Sequence, residues 1–292
     1  AAWGNKPGTY YIENKDGSDK IKLDKMWYTF PVGDKFTATV GPLIENYYML
    51  AATPSVYKPG ILKAFKLGGH GSAFGASTSV GAGLKYEAGN GFAVSTTANS
   101  KQGDLAGGLF TDQDQTKINT QVAYTADNYH VSATYSINNS FDSWKYYSTK
   151  DAAGSFGTVA NNSSADSIAM RAWWRPDETG TSVPSVSVGF DTMSFENHTV
   201  KEASGYMIGL NWADMFLPDD KIGFALGQPI KATEASAGNT LTEVDPLIWE
   251  AYYSFRPNDS IEITPGIFGG TDVYENDDED LFGVTVSTTF KF

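Results

Sequence analysis

Apolar and polar residues alternate one by one in many segments of about ten residues along this chain. The last segment, which starts at Leu281, shows the alternation most clearly. One of its faces carries Phe282, Val284, Val286, Thr288, Phe290 and Phe292, and the other carries Gly283, Thr285, Ser287, Thr289 and Lys291. One face is therefore mostly apolar and the other polar, as expected of a strand placed between lipid and water.

The same alternation predicts about 13 strands. They lie at 20–32, 35–44, 72–87, 91–99, 116–126, 128–138, 166–176, 182–195, 204–213, 221–230, 247–256, 260–270 and 281–292. Short links join them in pairs at 33–34, 89–90, 127–128, 176–181, 214–220 and 257–259, whereas long polar stretches lie at 45–71, 139–165, 231–246 and 271–280. Short turns on one side and long loops on the other are typical of an outer-membrane barrel.

A soluble β-sandwich is the alternative that this pattern leaves open, since its strands also alternate. The ends of the apolar faces argue against it, because they repeatedly carry rings that have an apolar body and a polar edge. These rings are Tyr124, Tyr129, Tyr206, Trp212, Trp249 and Tyr253, and the phenyl ring of Phe255 lies among them. Such residues are enriched at membrane–water boundaries. We therefore predict an all-β transmembrane antiparallel barrel in an outer membrane.

Composition narrows the function classes. Hydrophobic residues make up 41% of the 292 residues, but no run approaches the roughly 18 apolar residues of a membrane helix. A net charge of -13 argues against a nucleic-acid partner, and a chain with no cysteine has no disulfide or thiolate site. The histidines, His70, His130 and His198, lie in no hydrolase or zinc motif. We predict neither catalysis nor a cofactor.

The order of turns and loops also has a parity. The last strand follows a long loop and the first runs into a short turn, so closing the barrel requires an odd number of further strands. We expect residues 1–292 to be a single barrel domain that lacks its first strand or strands, with about 14 or 16 strands in the complete barrel. The alternative is an overlooked strand at 8–13.

Several stretches resemble the cyanobacterial outer-membrane porins of the iron-uptake type, which are distantly related to carbohydrate-selective porins. The stretches are 28–41 (YTFPVGDKFTATVG), Trp174-Arg175-Pro176 with 183–187 (VPSVS), 207–212 (MIGLNW), 223–229 with its Gly227-Gln228-Pro229, and 288–292 (TTFKF). The resemblance implies a porin whose N-terminal S-layer-homology domain, missing here, would grip the peptidoglycan wall. By analogy with other porins we also expect a homotrimer in outer-membrane lipid.

These expectations leave three functions. The leading one is a passive diffusion channel for inorganic ions and small polar solutes. A substrate-selective channel, for iron species or for sugars, is the second. A structural barrel that anchors the outer membrane to the wall is the third. Sugar selectivity would predict a track of inward-facing rings, and Trp173 and Tyr252 alone do not form one.

Alternation also predicts which charged residues line the pore: Lys35, Lys117, Arg171, Arg175, Asp191, Glu250, Arg256, Glu262 and Lys291. Charges of both signs on the polar face support a water-filled interior, because charges facing lipid would cost about 2–4 kcal/mol near the midplane. They either pair with one another or set a transverse field that filters solutes. The excess of Lys and Arg among them predicts weak selectivity, tilted toward anions.

Three further segments carry hypotheses. Residues 45–71 either fold inward and narrow the pore or form a simple external loop, and the constriction candidates are Glu45, Tyr47, Tyr48, Tyr57 and Lys58. The acidic run at 271–280 either concentrates cations or holds a divalent ion, but its spacing matches no calcium loop, so no metal site is predicted. Phe290 and Phe292 form the predicted C-terminal signal for barrel assembly.

Overall fold

The computed structural model describes residues 23–69, 78–103, 106–111, 114–139, 163–241, 245–272 and 280–291. Four sequence hypotheses concern parts of the chain outside these ranges. Phe292, the segment 8–13, and most of the predicted loops 139–165 and 271–280 lie outside the described residues.

The described chain is almost entirely antiparallel β-sheet, which confirms the predicted fold class. The strands are β1 (Met26–Val32), β2 (Phe36–Ile44), β3 (Ser79–Glu87), β4 (Phe92–Ser100), β5 (Thr116–Thr125), β6 (Tyr129–Asn139), β7 (Ser164–Trp174), β8 (Ser185–Glu196), β9 (Val200–Ala213), β10 (Lys221–Ala235), β11 (Leu247–Asn258), β12 (Ile261–Thr271) and β13 (Leu281–Phe290). Each strand pairs with the next in one sheet of 13 strands. Among the described residues, no helix is long and apolar enough to cross a membrane.

β1 begins at Met26 rather than at residue 20 and β3 at Ser79 rather than at residue 72, and strand boundaries also differ from the prediction around β8, β9 and β10. The loop predicted at 231–246 begins later, because β10 continues to Ala235, and β8 and β9 are joined by residues 197–199 alone. An apolar cluster extends these strands, with Met193, Phe195, Val200, Ala203, Ile230 and Ala232 buried together. Burying this apolar area stabilises strand pairs that local polarity alone would not favour.

The two faces of the sheet have opposite character, as the alternation predicts. In β6 the side chains of His130, Ser132, Thr134, Ser136 and Asn138 are buried, whereas Tyr129, Val131, Tyr135 and Ile137 are exposed. The polar positions align across strands, since Ser95 pairs with Gln121 and Gln121 pairs with Thr134. The sheet thus has an outer apolar face and an inner face lined by hydroxyl and amide groups.

The turn at 214–220 is held by one carboxylate. Buried Asp220 accepts hydrogen bonds from the backbone N–H groups of Met215 at 2.7 Å, Phe216 at 3.0 Å and Leu217 at 3.0 Å, and from the Tyr253 hydroxyl at 3.0 Å. Burial alone would raise the pKa of Asp220, but these donors lower it below its usual value. The carboxylate therefore stabilises the turn above a pH of about 4, and this contribution is lost as the pH falls through the lowered pKa.

The turn 126–128 belongs to the side predicted to be periplasmic, and Asp280, before β13, belongs to the opposite side. Because the chain has no cysteine, single substitutions can test this topology. A membrane-impermeant thiol reagent added to intact cells should label Asp280→Cys and leave Asp127→Cys unlabelled until the outer membrane is permeabilised. If the reagent labelled Asp127→Cys and not Asp280→Cys on intact cells, the predicted orientation of the barrel in the membrane would be wrong.

Candidate functional site

The segment 45–69, called the belt below, lies against the inner face of the sheet. Pro54 and Pro59 lack the N–H that a strand ladder needs, and Gly68 and Gly69 have the positive φ values of 78° and 102° that glycine adopts readily. The belt contains two short 3-10 helices, Asn46–Met49 and Lys63–Gly68. Of the two hypotheses for this part of the chain, the inward fold is the one that the structure has.

Side chains of the sheet bind the backbone of the first half of the belt. The Ser95 hydroxyl accepts the Ala51 N–H at 2.9 Å. The Gln121 amide both accepts the Ala52 N–H at 3.0 Å and donates to the Ala52 carbonyl at 3.2 Å. The Trp173 indole N–H donates to the carbonyl of residue 53 at 3.1 Å. The belt thus exchanges hydrogen bonds with β4, β5 and β7, as buried irregular backbone requires.

Glu250 of β11 is the strongest anchor of the belt. One of its carboxylate oxygens accepts the Tyr57 hydroxyl at 2.6 Å and the Gly60 N–H at 3.2 Å. The other accepts the N–H groups of Ile61 at 2.9 Å and Leu62 at 2.5 Å. The residue is fully buried. Three consecutive amides around one carboxylate form a cradle for a negative charge, so Glu250 fixes the middle of the belt.

Arg171 and Asp191 anchor the other end of the belt. The Arg171 guanidinium donates to the carbonyl oxygens of Leu67 at 2.9 Å and Gly69 at 2.5 Å. It also forms a buried ion pair with Asp191 at 2.8 Å. Removing one partner of such a pair would leave an uncompensated buried charge, at a cost of about 3–5 kcal/mol.

Apolar contacts support the polar anchors. Side chains of the belt form one buried cluster with β9, β10 and β11, made of Tyr57, Ile61, Leu62, Ala64, Phe65, Met207, Ala225, Ile248 and Tyr252. Full burial of a large apolar side chain contributes about 1.5–3 kcal/mol. The belt is therefore a packed part of the fold and not a loose loop.

Glycines on the inner face let the belt approach. A Cβ atom on Gly189 would lie 1.7 Å from the Gly68 carbonyl oxygen, and one on Gly209 would lie 2.5 Å from the Tyr57 ring. Neither position could carry a side chain without moving the belt. Sequence reasoning missed these residues, although inward-facing glycines within alternating strands are a readable signal of close backbone approach.

The structure divides the predicted pore-lining charges into three groups. Lys117, Arg171, Asp191 and Glu250 lie on the inner face but are buried. Arg256 and Glu262 pair with each other at 3.0 Å. Lys35, Arg175 and Lys291 lie outside the strand bounds, in a turn or just past a strand end.

Of the two alternatives for these charges, pairing describes Arg171 with Asp191 and Arg256 with Glu262. Alternation identifies the face but not what covers it, and the belt covers Arg171, Asp191 and Glu250. Arg171 is held in an ion pair and Arg175 lies beyond β7, where its Nε donates to the carbonyl of Asp127 at 2.9 Å. Two of the cationic residues on which the predicted selectivity for anions was based, Arg171 and Arg175, are therefore engaged in contacts within the protein.

The five candidates for a constriction make different contacts. Tyr57 binds Glu250, and the Lys58 backbone N–H donates to Asn211 at 3.3 Å. Glu45 pairs with Lys25 at 3.4 Å, and the Tyr47 hydroxyl accepts from Lys66 at 2.9 Å. Tyr48 is partly exposed. Among the described residues, no group of three or more His, Asp or Glu could hold a metal ion.

Glu250→Gln tests the anchoring of the belt. The new amide N–H₂ would face the belt donors, and each buried polar group left unsatisfied costs about 1–3 kcal/mol. We expect part of the population to release the belt, so mean single-channel conductance and current noise should rise in planar bilayers. Glu262→Gln is the matched control, because that carboxylate pairs with Arg256. Unchanged traces for Glu250→Gln would contradict the anchoring role.

Gly189→Ala tests the packing of the belt by a different measurement. Because the added methyl group overlaps the Gly68 carbonyl, the end of the belt must shift. The folded, fast-migrating form in detergent gels should then be lost at a lower temperature than in the parent protein. The control is Val188→Ala, since Val188 is 40% exposed on the outer face. Equal transition temperatures in the two variants would show that the belt does not depend on this contact.

Comparison with known proteins gives a family match and a structural match of the fold. A family model described as "Carbohydrate-selective porin, OprB family" matches residues 2–292. OmpF of Salmonella typhi, solved in a complex with daunomycin, has a similar structure with a TM-score of 0.51 and 13% sequence identity, covering 87% of this chain and 76% of OmpF. A comparison with curated proteins gave no match. The likeness to OmpF concerns the fold alone.

Proposed function

The chain belongs to the OprB family of carbohydrate-selective porins, and we propose that it lets sugars and other small hydroxylated solutes diffuse passively past the belt. The membership and the likeness to the OmpF fold make it an outer-membrane β-barrel and a porin channel. The preference for sugars over ions is the part that we propose.

The anchored belt is the observation that carries this proposal. It occupies the interior from β4, where Ala51 binds Ser95, to β12, where the Ile61 side chain lies over Gly266. An obstruction fixed by Glu250 and by Arg171 leaves less room for passage than an open barrel would. A narrowed passage selects solutes by size and by contacts along its wall.

The chemistry of the wall favours neutral solutes over ions. Beside the belt, the inner face carries uncharged hydroxyl and amide side chains, among them Thr97, Asn119, Thr134 and Ser136, which are buried and add no charge to the passage. Arg171 and Asp191 neutralise each other, and so do Arg256 and Glu262. With these charges paired, the transverse field is weaker than the nine predicted charges would give, and selectivity by charge should be weak.

Several sequence hypotheses stay predictions. They are the cyanobacterial iron-uptake type, transport of iron species, the homotrimer, anchoring to the wall through a missing N-terminal domain, further strands that would give about 14 or 16, and an assembly signal at Phe290 and Phe292. The match to the OprB family moves sugars ahead of iron species among the selective channels.

Liposome swelling tests the proposed function. Vesicles that contain the refolded protein should swell in isotonic glucose, more slowly in a disaccharide and not in a large dextran, while vesicles without protein stay unchanged. In planar bilayers, reversal potentials in asymmetric potassium chloride should lie near zero at about 1 M salt, where the Debye length is about 3 Å. No swelling in glucose together with strong ion selectivity would overturn the preference for sugars.

A further inference from the structure

Three aromatic rings meet where the belt begins. Trp27 of β1 lies 5.3 Å from Tyr48, measured between ring centroids, and Tyr48 lies 4.8 Å from Tyr47. Trp27 is 44% exposed and Tyr48 is 42% exposed. Trp27 and Tyr48 therefore present ring surface that a solute could touch, with Tyr47 edge-on beside them, unlike Trp173 and Tyr252, which are buried.

The backbone of β1 places Trp27 on the inner face. Thr29, two residues later, bonds to Thr39 of β2 at 3.0 Å, and Thr39 is buried on that face. A Cβ atom on Gly41, two residues beyond Thr39, would lie 2.6 Å from the Trp27 Cβ. Trp27 thus lies over Gly41 on the same side as the belt, whereas Tyr28 points to the outer face, where it stacks on Phe30 at 5.5 Å.

Charged groups border this aromatic surface. Lys25 lies 5.5 Å from the Tyr48 ring centroid and pairs with Asp24 at 3.0 Å and with Glu45 at 3.4 Å. On the other side, Lys66 lies 4.6 Å from the Tyr47 ring centroid and donates to the Tyr47 hydroxyl at 2.9 Å. An ammonium group therefore lies over one face of each tyrosine ring, with the Glu45 carboxylate beside Lys25.

This combination matches one class of solute. The face of a pyranose ring presents C–H groups with partial positive charge, which pack on the negative face of an aromatic ring. Its hydroxyl groups point outward from the ring edge, where donors and acceptors of both signs can bind them. Asp24 and Glu45 offset Lys25 and Lys66 in charge, and Lys63, which acts on Lys66 electrostatically, adds one positive charge at the border.

From this geometry we infer that Trp27, Tyr48 and Tyr47 form a subsite for a neutral pyranose sugar, with Lys25, Lys66 and Glu45 bonding to its hydroxyl groups. The inference rests on the proposed function and names where the sugar binds. Because Tyr47 and Tyr48 are part of the belt, the anchors at Glu250 and Arg171 also hold one half of the subsite against β1.

Sugar-induced current block in planar bilayers tests the subsite. Glucose should reduce the single-channel current of the parent protein in a saturable way, whereas sorbitol, an open-chain polyol without the ring face, should block far less. Trp27→Ala and Tyr48→Ala should each raise the half-blocking glucose concentration about tenfold, which corresponds to about 1.4 kcal/mol. Trp27→Phe, which keeps a ring, should change it much less.

Tyr28→Ala is the matched control, because Tyr28 neighbours Trp27 but faces outward. Heat-dependent migration in detergent gels and conductance without sugar show whether each variant is folded. If Trp27→Ala does not fold, Tyr48→Ala and Trp27→Phe decide. Equal block by glucose in the parent and in Tyr48→Ala, or equal block by glucose and sorbitol, would overturn the subsite. Swelling in glucose without any current block would overturn the subsite alone, whereas no swelling would overturn the proposed function.

Discussion

The belt is irregular backbone inside a membrane barrel, so its N–H and C=O groups must find partners within the protein. Glu250 meets this constraint for the amides of Gly60, Ile61 and Leu62, and Arg171 meets it for the carbonyl groups of Leu67 and Gly69. Both anchors carry a formal charge, which strengthens the hydrogen bonds that they make. The other features of the interior follow from these bonds, because they decide where the belt lies.

The same bonds change what the interior charges can do. A guanidinium paired with Asp191 at 2.8 Å contributes little field to a distant passage, because the two opposite charges nearly cancel there. Such groups act on permeation indirectly, by holding the belt, and a substitution that reverses their charge would displace the belt before it altered the field. The contacts available to a solute are then the exposed rings and the polar groups beside them.

The anchors and the aromatic subsite involve the same segment, the belt. The first residues of the belt include Tyr47 and Tyr48, and the Tyr48 ring lies against Trp27. Near the end of the belt, Lys66 donates a hydrogen bond to the Tyr47 hydroxyl. The apolar cluster around Tyr57 and Phe65 fixes the part between them. Selection by size and contact with a sugar ring are therefore properties of one packed segment.

The sequence by itself determined the strands and the two faces of the sheet, because side chains alternate with a period of two in any strand and lipid on one face leaves a clear pattern. The alternation also placed Lys117, Arg171, Asp191 and Glu250 on the inner face. The family, too, follows from the sequence, since the match to the OprB family model covers residues 2–292. Only the tertiary structure decided that 45–69 folds inward, that three of these charges anchor it, and that Trp27 meets Tyr48. Those contacts join residues far apart in the chain, for example Tyr57 and Glu250, which are 193 positions apart. Local periodicity does not extend over such distances, because it reports which face a residue occupies and not which segment packs against it.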